Sequence, residues 1–130
     1  MHNFANEKTV DLVTYRKNGR AVSTPVWCAA VGTTLYAFSN GAAGKVKRLR
    51  NGARAQLAPC TNAGKPTGEY IDAQAFLVSD TTERERALAA FPGKYGLVFH
   101  VLSFFGRLSG RRRNWVVIRI ELAEIGRAHV

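Results

Sequence analysis

Between Asp11 and Glu69 the chain carries no acidic residue and nine basic ones: Arg16, Lys17, Arg20, Lys45, Lys47, Arg48, Arg50, Arg54 and Lys65. The densest part is GAAGKVKRLRNGARAQLAP, residues 41–59. This pattern predicts a Gly-rich loop, a short basic helix and then a strand. The free N–H groups of a helix start already carry partial positive charge. A lysine in that first turn, Lys45, is therefore unfavourable unless an anion sits beside it. Loop N–H groups, a helix start and an ammonium together are the chemistry of a phosphate site. The competing reading is a solvated basic face. Against it, no Asp or Glu stands at i,i+4 spacing to offset the cations.

The elements that must position this segment are legible in outline. TVDLVTYR, residues 9–16, reads as a strand, and Asn18-Gly19 as the hairpin pair that reverses it. AVSTPVWCAAV, residues 21–31, reads as the returning strand, with Pro25 placing it at an edge or a bulge. Gly32-Thr33 turns the chain into TLYAFS, residues 34–39, completing an expected three-stranded meander. After the basic helix, closed by Asn51-Gly52 as a C-cap, residues 53–60 form a fourth strand. TNAGKPTG, residues 61–68, is turn chemistry. Residues 70–79 form a fifth strand with Ile71, Ala73, Ala75 and Leu77 on one face. Asp80 and Glu83 make a capping-box pattern, opening a helix over residues 81–91 that Pro92-Gly93 should stop. KYGLVFHVLSFFGRLSG, residues 94–110, has helical spacing and is read as a short amphipathic helix that does not face a membrane. WVVIRIEL, residues 115–122, is the last strand. The sum is a mainly β barrel of six or more mostly antiparallel strands with short helices, in one domain over residues 1–130.

Composition bounds the partners. The apolar fraction of 46% and charged fraction of 22% are those of a globular protein. A net charge of +10 and a pI near 10.3 call for an anionic partner. Nucleic acid is not expected, because no nucleic-acid motif is present and aromatic residues are not interleaved with the basic clusters. No apolar run has the length of a membrane span and no targeting signal is visible, so a cytoplasmic location is expected. Cys28 and Cys60 lack paired spacing and read as buried free thiols. His2, His100 and His129 are scattered, and no metal site is expected.

These segments, in this order, resemble the pyridoxamine-phosphate-oxidase-like split β-barrel family. The resemblance is carried by TYRKNGRAVSTPVW, GTTLYAFS, AGKVKRLRNGARAQLAPC, GKPTG and WVVIRIEL, and spans about residues 9–122. Within the family the chain looks most like the branch that uses the deazaflavin coenzyme F420. The resemblance implies an FMN-binding-like split barrel and a homodimer with the cofactor in a groove between the two barrels. It implies that Ser23, Thr24, Pro25 and Val26 contact the pyrimidine edge of the ring, followed by Tyr36, Phe38 and Ser39 on the neighbouring strand. Lys45, after Gly44, would bind the phosphate, with Lys47, Arg48 and Arg50 behind it. Two departures stand out. Only about eight residues precede the first strand, where family members usually carry a longer helix. Gly44 stands where the flavin oxidases place an Arg, which separates this chain from the pyridoxamine-phosphate oxidases proper.

No Ser/His/Asp, Cys/His or paired-carboxylate constellation is visible, which fits chemistry carried by a cofactor. The expected activity is hydride transfer from reduced F420 to an unsaturated small molecule, with no catalytic residue assigned; Tyr95 and His100 are the candidate proton donors. The alternatives are an FMN-binding oxidoreductase of the same fold, and a non-catalytic flavin-, deazaflavin- or haem-binding protein. Residues 111–113, all Arg, read as a solvated corner rather than a contact to the cofactor's anionic tail.

Overall fold

The computed structural model describes residues 4–40, 44–50, 52–109 and 115–122. Seven strands follow in chain order: β1 Val10–Tyr15, β2 Ala21–Val26, β3 Cys28–Val31, β4 Thr34–Asn40, β5 Arg54–Pro59, β6 Ile71–Leu77 and β7 Trp115–Leu122. The helices are α1 Gly44–Leu49, α2 Thr81–Ala89, α3 Phe91–Tyr95 and α4 Leu97–Ser109, with a 3-10 turn at Phe4–Asn6. All seven strands pair antiparallel in one sheet, in the order β2-β1-β5-β6-β7-β4-β3.

The expected single strand over residues 21–31 is two strands. Trp27 alone separates β2 from β3, yet these lie at opposite edges of the sheet. Flat, seven strands would set those edges about 30 Å apart, while one residue reaches at most about 3.6 Å. The sheet must therefore roll until its edges meet, and β2 does touch β4. The meander expected from residues 9–39 is thus two hairpins, β1–β2 and β3–β4, joined across the barrel seam. Pro25 sits on β2, an edge strand, where a missing N–H is tolerated.

The inward positions follow strand alternation. Val10 and Leu12, Leu35 and Ala37, Ala55 and Leu57, Ala73 and Ala75, and Ile118 and Ile120 form one buried cluster, closed by Phe4 and Leu49. Ile71 and Leu77 pack on the same cluster, as their spacing predicts. Outside the barrel, Asp80 caps α2 by accepting from the Glu83 N–H at 2.7 Å. Pro92 does not end helical structure. It occupies the first turn of α3, where a missing N–H is tolerated, and the left-handed Gly96 (φ 61°) separates α3 from α4. The thiols of Cys28 and Cys60 are free and buried, and burial raises both pKa values.

Candidate functional site

Where β2 crosses to β3, the rolled sheet and α4 enclose a groove of about 860 Å³. Pro25, Val26 and Trp27 supply one wall, Phe38 of β4 another, and Tyr95, Val98 and Leu102 a third. Lys8, Lys45 and Lys94 also line it, and among the described residues no acidic one does. Its aromatic wall is fixed: the Trp27 and Tyr95 rings stack at 4.4 Å with 9° between their planes. Phe38 packs edge-on against Phe91 and lies against Trp115, which immobilises it from behind.

The polar groups of this wall are anchored. Tyr95 donates its hydroxyl to the Lys8 carbonyl at 2.6 Å and accepts from the Cys28 N–H at 3.0 Å. Burial raises the Tyr95 pKa well above the tyrosine range. Held by backbone groups, this hydroxyl serves the groove as a brace and is a poor source of protons. The Lys94 ammonium donates to the Cys28 carbonyl at 2.6 Å, which holds it at the rim. His100, the other candidate proton donor, is exposed on α4 and does not line the groove.

Lys45 is half-buried and has no acidic neighbour among the described groove residues. Burial, and then the nearby Arg48 charge, holds its pKa below the ordinary lysine value. An anion in the groove would remove both penalties. Helix α1 is only six residues long, so its dipole adds little, and the lysine side chain is the stronger feature.

The structure separates residues that the sequence places together. Arg48, one turn after Lys45, turns away and donates from Nε to Thr14 Oγ1 at 2.6 Å. Its guanidinium also folds back over Gly44, where a Cβ would lie 2.7 Å from it. With Arg16, Lys17 and Arg54 it lines a second cavity of about 380 Å³. Burial and then Arg16 lower the Arg48 pKa. Lys47 and Gly44 are exposed. Pro25 and Val26 line the groove, but Ser23 does not: its hydroxyl donates to the buried Asp11 carboxylate, which also accepts from Tyr70 at 2.6 Å. Thr24 pairs with Leu12 in the β1–β2 ladder and is absent from the groove wall.

Strand alternation divides β4 in the same way. Leu35 and Ala37 face the core, while Tyr36 and Phe38 face outward. Tyr36 points beneath α2 and donates to Glu83 at 2.7 Å, so its hydroxyl is engaged away from the groove. Ser39 is buried and also lies off the groove wall. Residues 41–43, Asn51, Arg111, Arg112, Arg113, His2 and His129 lie outside the described residues. Lys94, Trp27 and Lys8 are groove residues that sequence reasoning missed. Trp27 lies next to the predicted Pro25 and Val26 in the STPVW stretch, whereas the signal for Lys8 and Lys94 is tertiary, since separate segments bring them to the groove.

No protein-family model matches the chain, and no curated protein matches it. Solved structures do. The heme storage protein HutZ from Vibrio cholerae superposes with a TM-score of 0.68 at 14% identity, over 90% of this chain and 82% of that one. A candidate pyridoxamine 5'-phosphate oxidase from Listeria innocua gives 0.58 at 16% identity, over 89% and 84%. A FAD-binding protein from Mesorhizobium loti gives 0.59 at 19%, over 92% and 82%. The fold is the split β-barrel. Proteins sharing it include flavin and haem binders, so the fold leaves the ligand open and the groove must decide it.

Proposed function

We propose that the protein is an oxidoreductase that holds a flavin-type ring cofactor, F420, in the groove between Trp27, Phe38 and Lys45. The observation that carries this reading is the groove itself: three lysines, no acid among the described lining residues, and a stacked aromatic wall. A flat ring needs apolar faces beside it, and its anionic tail needs cations. Pro25 and Val26 would lie along the ring, Lys45 would bind the phosphate, and Lys8 and Lys94 would meet further negative charge. Reduced F420 supplies a hydride for an unsaturated small molecule. The protein's share is to orient the ring, exclude water and compensate charge. FMN fits the same chemistry with a shorter tail and is the alternative within the fold.

Haem is the third reading, favoured by the similarity to a heme storage protein. It fits the lysines, which would pair with propionates, but among the described groove residues there is no His, Cys or Met to ligate iron. Tyr95, the one phenol there, is tied to backbone. We also propose a homodimer whose second copy covers the open side of the groove. Incubation with F420, FMN or haem, desalting and absorbance spectroscopy test the ligand. Retained F420 absorbance supports the reading, and retained haem with no deazaflavin refutes it.

A further inference from the structure

The second cavity, of about 380 Å³, shares no described lining residue with the groove. Local sequence and strand register build it. The Asn18-Gly19 turn closes the β1–β2 hairpin, with the Gly19 N–H donating to the Arg16 carbonyl at 2.8 Å. Arg16 and Lys17 are thereby fixed just past the end of β1. In the β1–β5 ladder Val13 stands opposite Gln56, so Arg54 falls opposite Tyr15. Its guanidinium carbon lies 3.9 Å from the centre of the Tyr15 ring. Helix α1 packs on β1 and brings in Arg48.

Four cations therefore share one cavity. Among the described residues no acid lines it, and none of the four forms an ion pair. Asp72, on the strand next to β5, accepts from Gln56 at 3.0 Å instead. On a merely solvated basic face each side chain spreads into water. Here two of the guanidiniums are held. Thr14, a fully buried hydroxyl, accepts from Arg48 Nε at 2.6 Å, and the Tyr15 ring carries Arg54. Burial, and then the Arg16 charge, already disfavours the Arg48 cation. Like charges held together in this way are unfavourable until an anion sits among them.

Charge and shape select the anion. Guanidinium forks match the paired oxygens of phosphate and carboxylate. Four positive charges around so small a volume call for several negative charges close together, which adjacent phosphoryl groups supply more densely than carboxylates. Arg54 already occupies a face of Tyr15, the one ring among the described lining residues, so recognition falls to the phosphates rather than to a stacked base. We propose that this cavity is a second anion site, independent of the cofactor groove, that binds a compact oligophosphate group. Arg48, oriented by Thr14, and Arg54, set on Tyr15, hold the phosphoryl oxygens, and Arg16 and Lys17 add charge from the hairpin. The inference does not rest on which ring the groove holds.

Isothermal titration calorimetry of the full chain with inorganic pyrophosphate, at one low ionic strength, tests it. Pyrophosphate should bind saturably, and more tightly than orthophosphate or citrate. Arg48→Gln and Arg54→Gln should each weaken it about tenfold or more, the range of a lost charge-assisted hydrogen bond. Lys65→Gln removes the same charge past Pro59, at the far end of β5 from Arg54, and should change affinity less than about threefold. Thermal melting checks folding. Arg54 is exposed, so Arg54→Gln decides the matter should loss of the Thr14 bond unfold Arg48→Gln. No saturable pyrophosphate binding overturns the proposal. So does equal weakening by Lys65→Gln, which would make the attraction diffuse. Citrate binding as tight as pyrophosphate overturns the oligophosphate assignment. Loss of binding in Lys45→Met with Arg54→Gln unaffected would put the anion in the groove and overturn it as well.

Discussion

Lys45 is where sequence and structure meet most directly. The absence of nearby acids is visible in the sequence, and the structure adds that the ammonium is half-buried in an aromatic-walled groove. Its depressed pKa has a definite sign for stability. A lysine whose folded value lies below its unfolded one binds fewer protons when folded, so it disfavours the apo fold at neutral pH and the penalty fades as pH rises through that window. Lys45→Met should therefore raise the apo melting temperature slightly. It should also weaken cofactor binding about ten- to a hundredfold, the range of a lost charge-assisted hydrogen bond. Paired melting and binding curves check both signs; a variant that binds normally would move the anion site elsewhere. Arg48 was legible as a cation but not by direction. Its bond to Thr14 comes from packing α1 against β1, which local sequence does not encode.

Among the elements, α2 shows what local chemistry can specify. Asp80 and Glu83 signal the helix start, and the cap forms as that pattern requires. Asp80→Ala should cost about 0.5–2 kcal/mol, read from denaturant unfolding. Glu83 has a second task that the sequence does not announce. Its carboxylate accepts from Tyr36 at 2.7 Å and pairs with Arg119 at 3.0 Å, fastening α2 to β4 and β7. The Tyr36 hydrogen bond first, and then Arg119, lowers the Glu83 pKa. A carboxylate lowered in this way contributes stability that is full above the ordinary glutamate range and is lost as pH falls through the folded value. Glu83→Gln should cost about 1–3 kcal/mol at neutral pH and little in acid, so melting curves of the two proteins should converge as pH falls. The residue 21–31 strand was misread for a comparable reason. Trp27 interrupts it because Tyr95, 68 positions away in the chain, stacks on its ring and holds the Cys28 backbone.

At the scale of the molecule, alternation and turn residues were enough to indicate an antiparallel barrel. The closure was not legible, because joining β2 to β3 across the seam is decided by the whole sheet rather than by any segment. The groove forms at that seam, which is why its lysines come from three distant segments and why Lys8 and Lys94 escaped a search by spacing. A groove open on one side also bears on assembly. Light scattering at micromolar concentration should give about twice the 14.3 kDa chain mass. A monomer that binds cofactor fully would contradict the proposed dimer.

The central claim is that this groove holds a long, anionic deazaflavin. Fluorescence titration of the protein with F420 and with FMN, at one ionic strength, tests it most directly. The account predicts saturable binding of both, tighter for F420, because its longer tail meets more of the unpaired positive charge. Equal or tighter binding of FMN, or no saturable binding of F420, would contradict it.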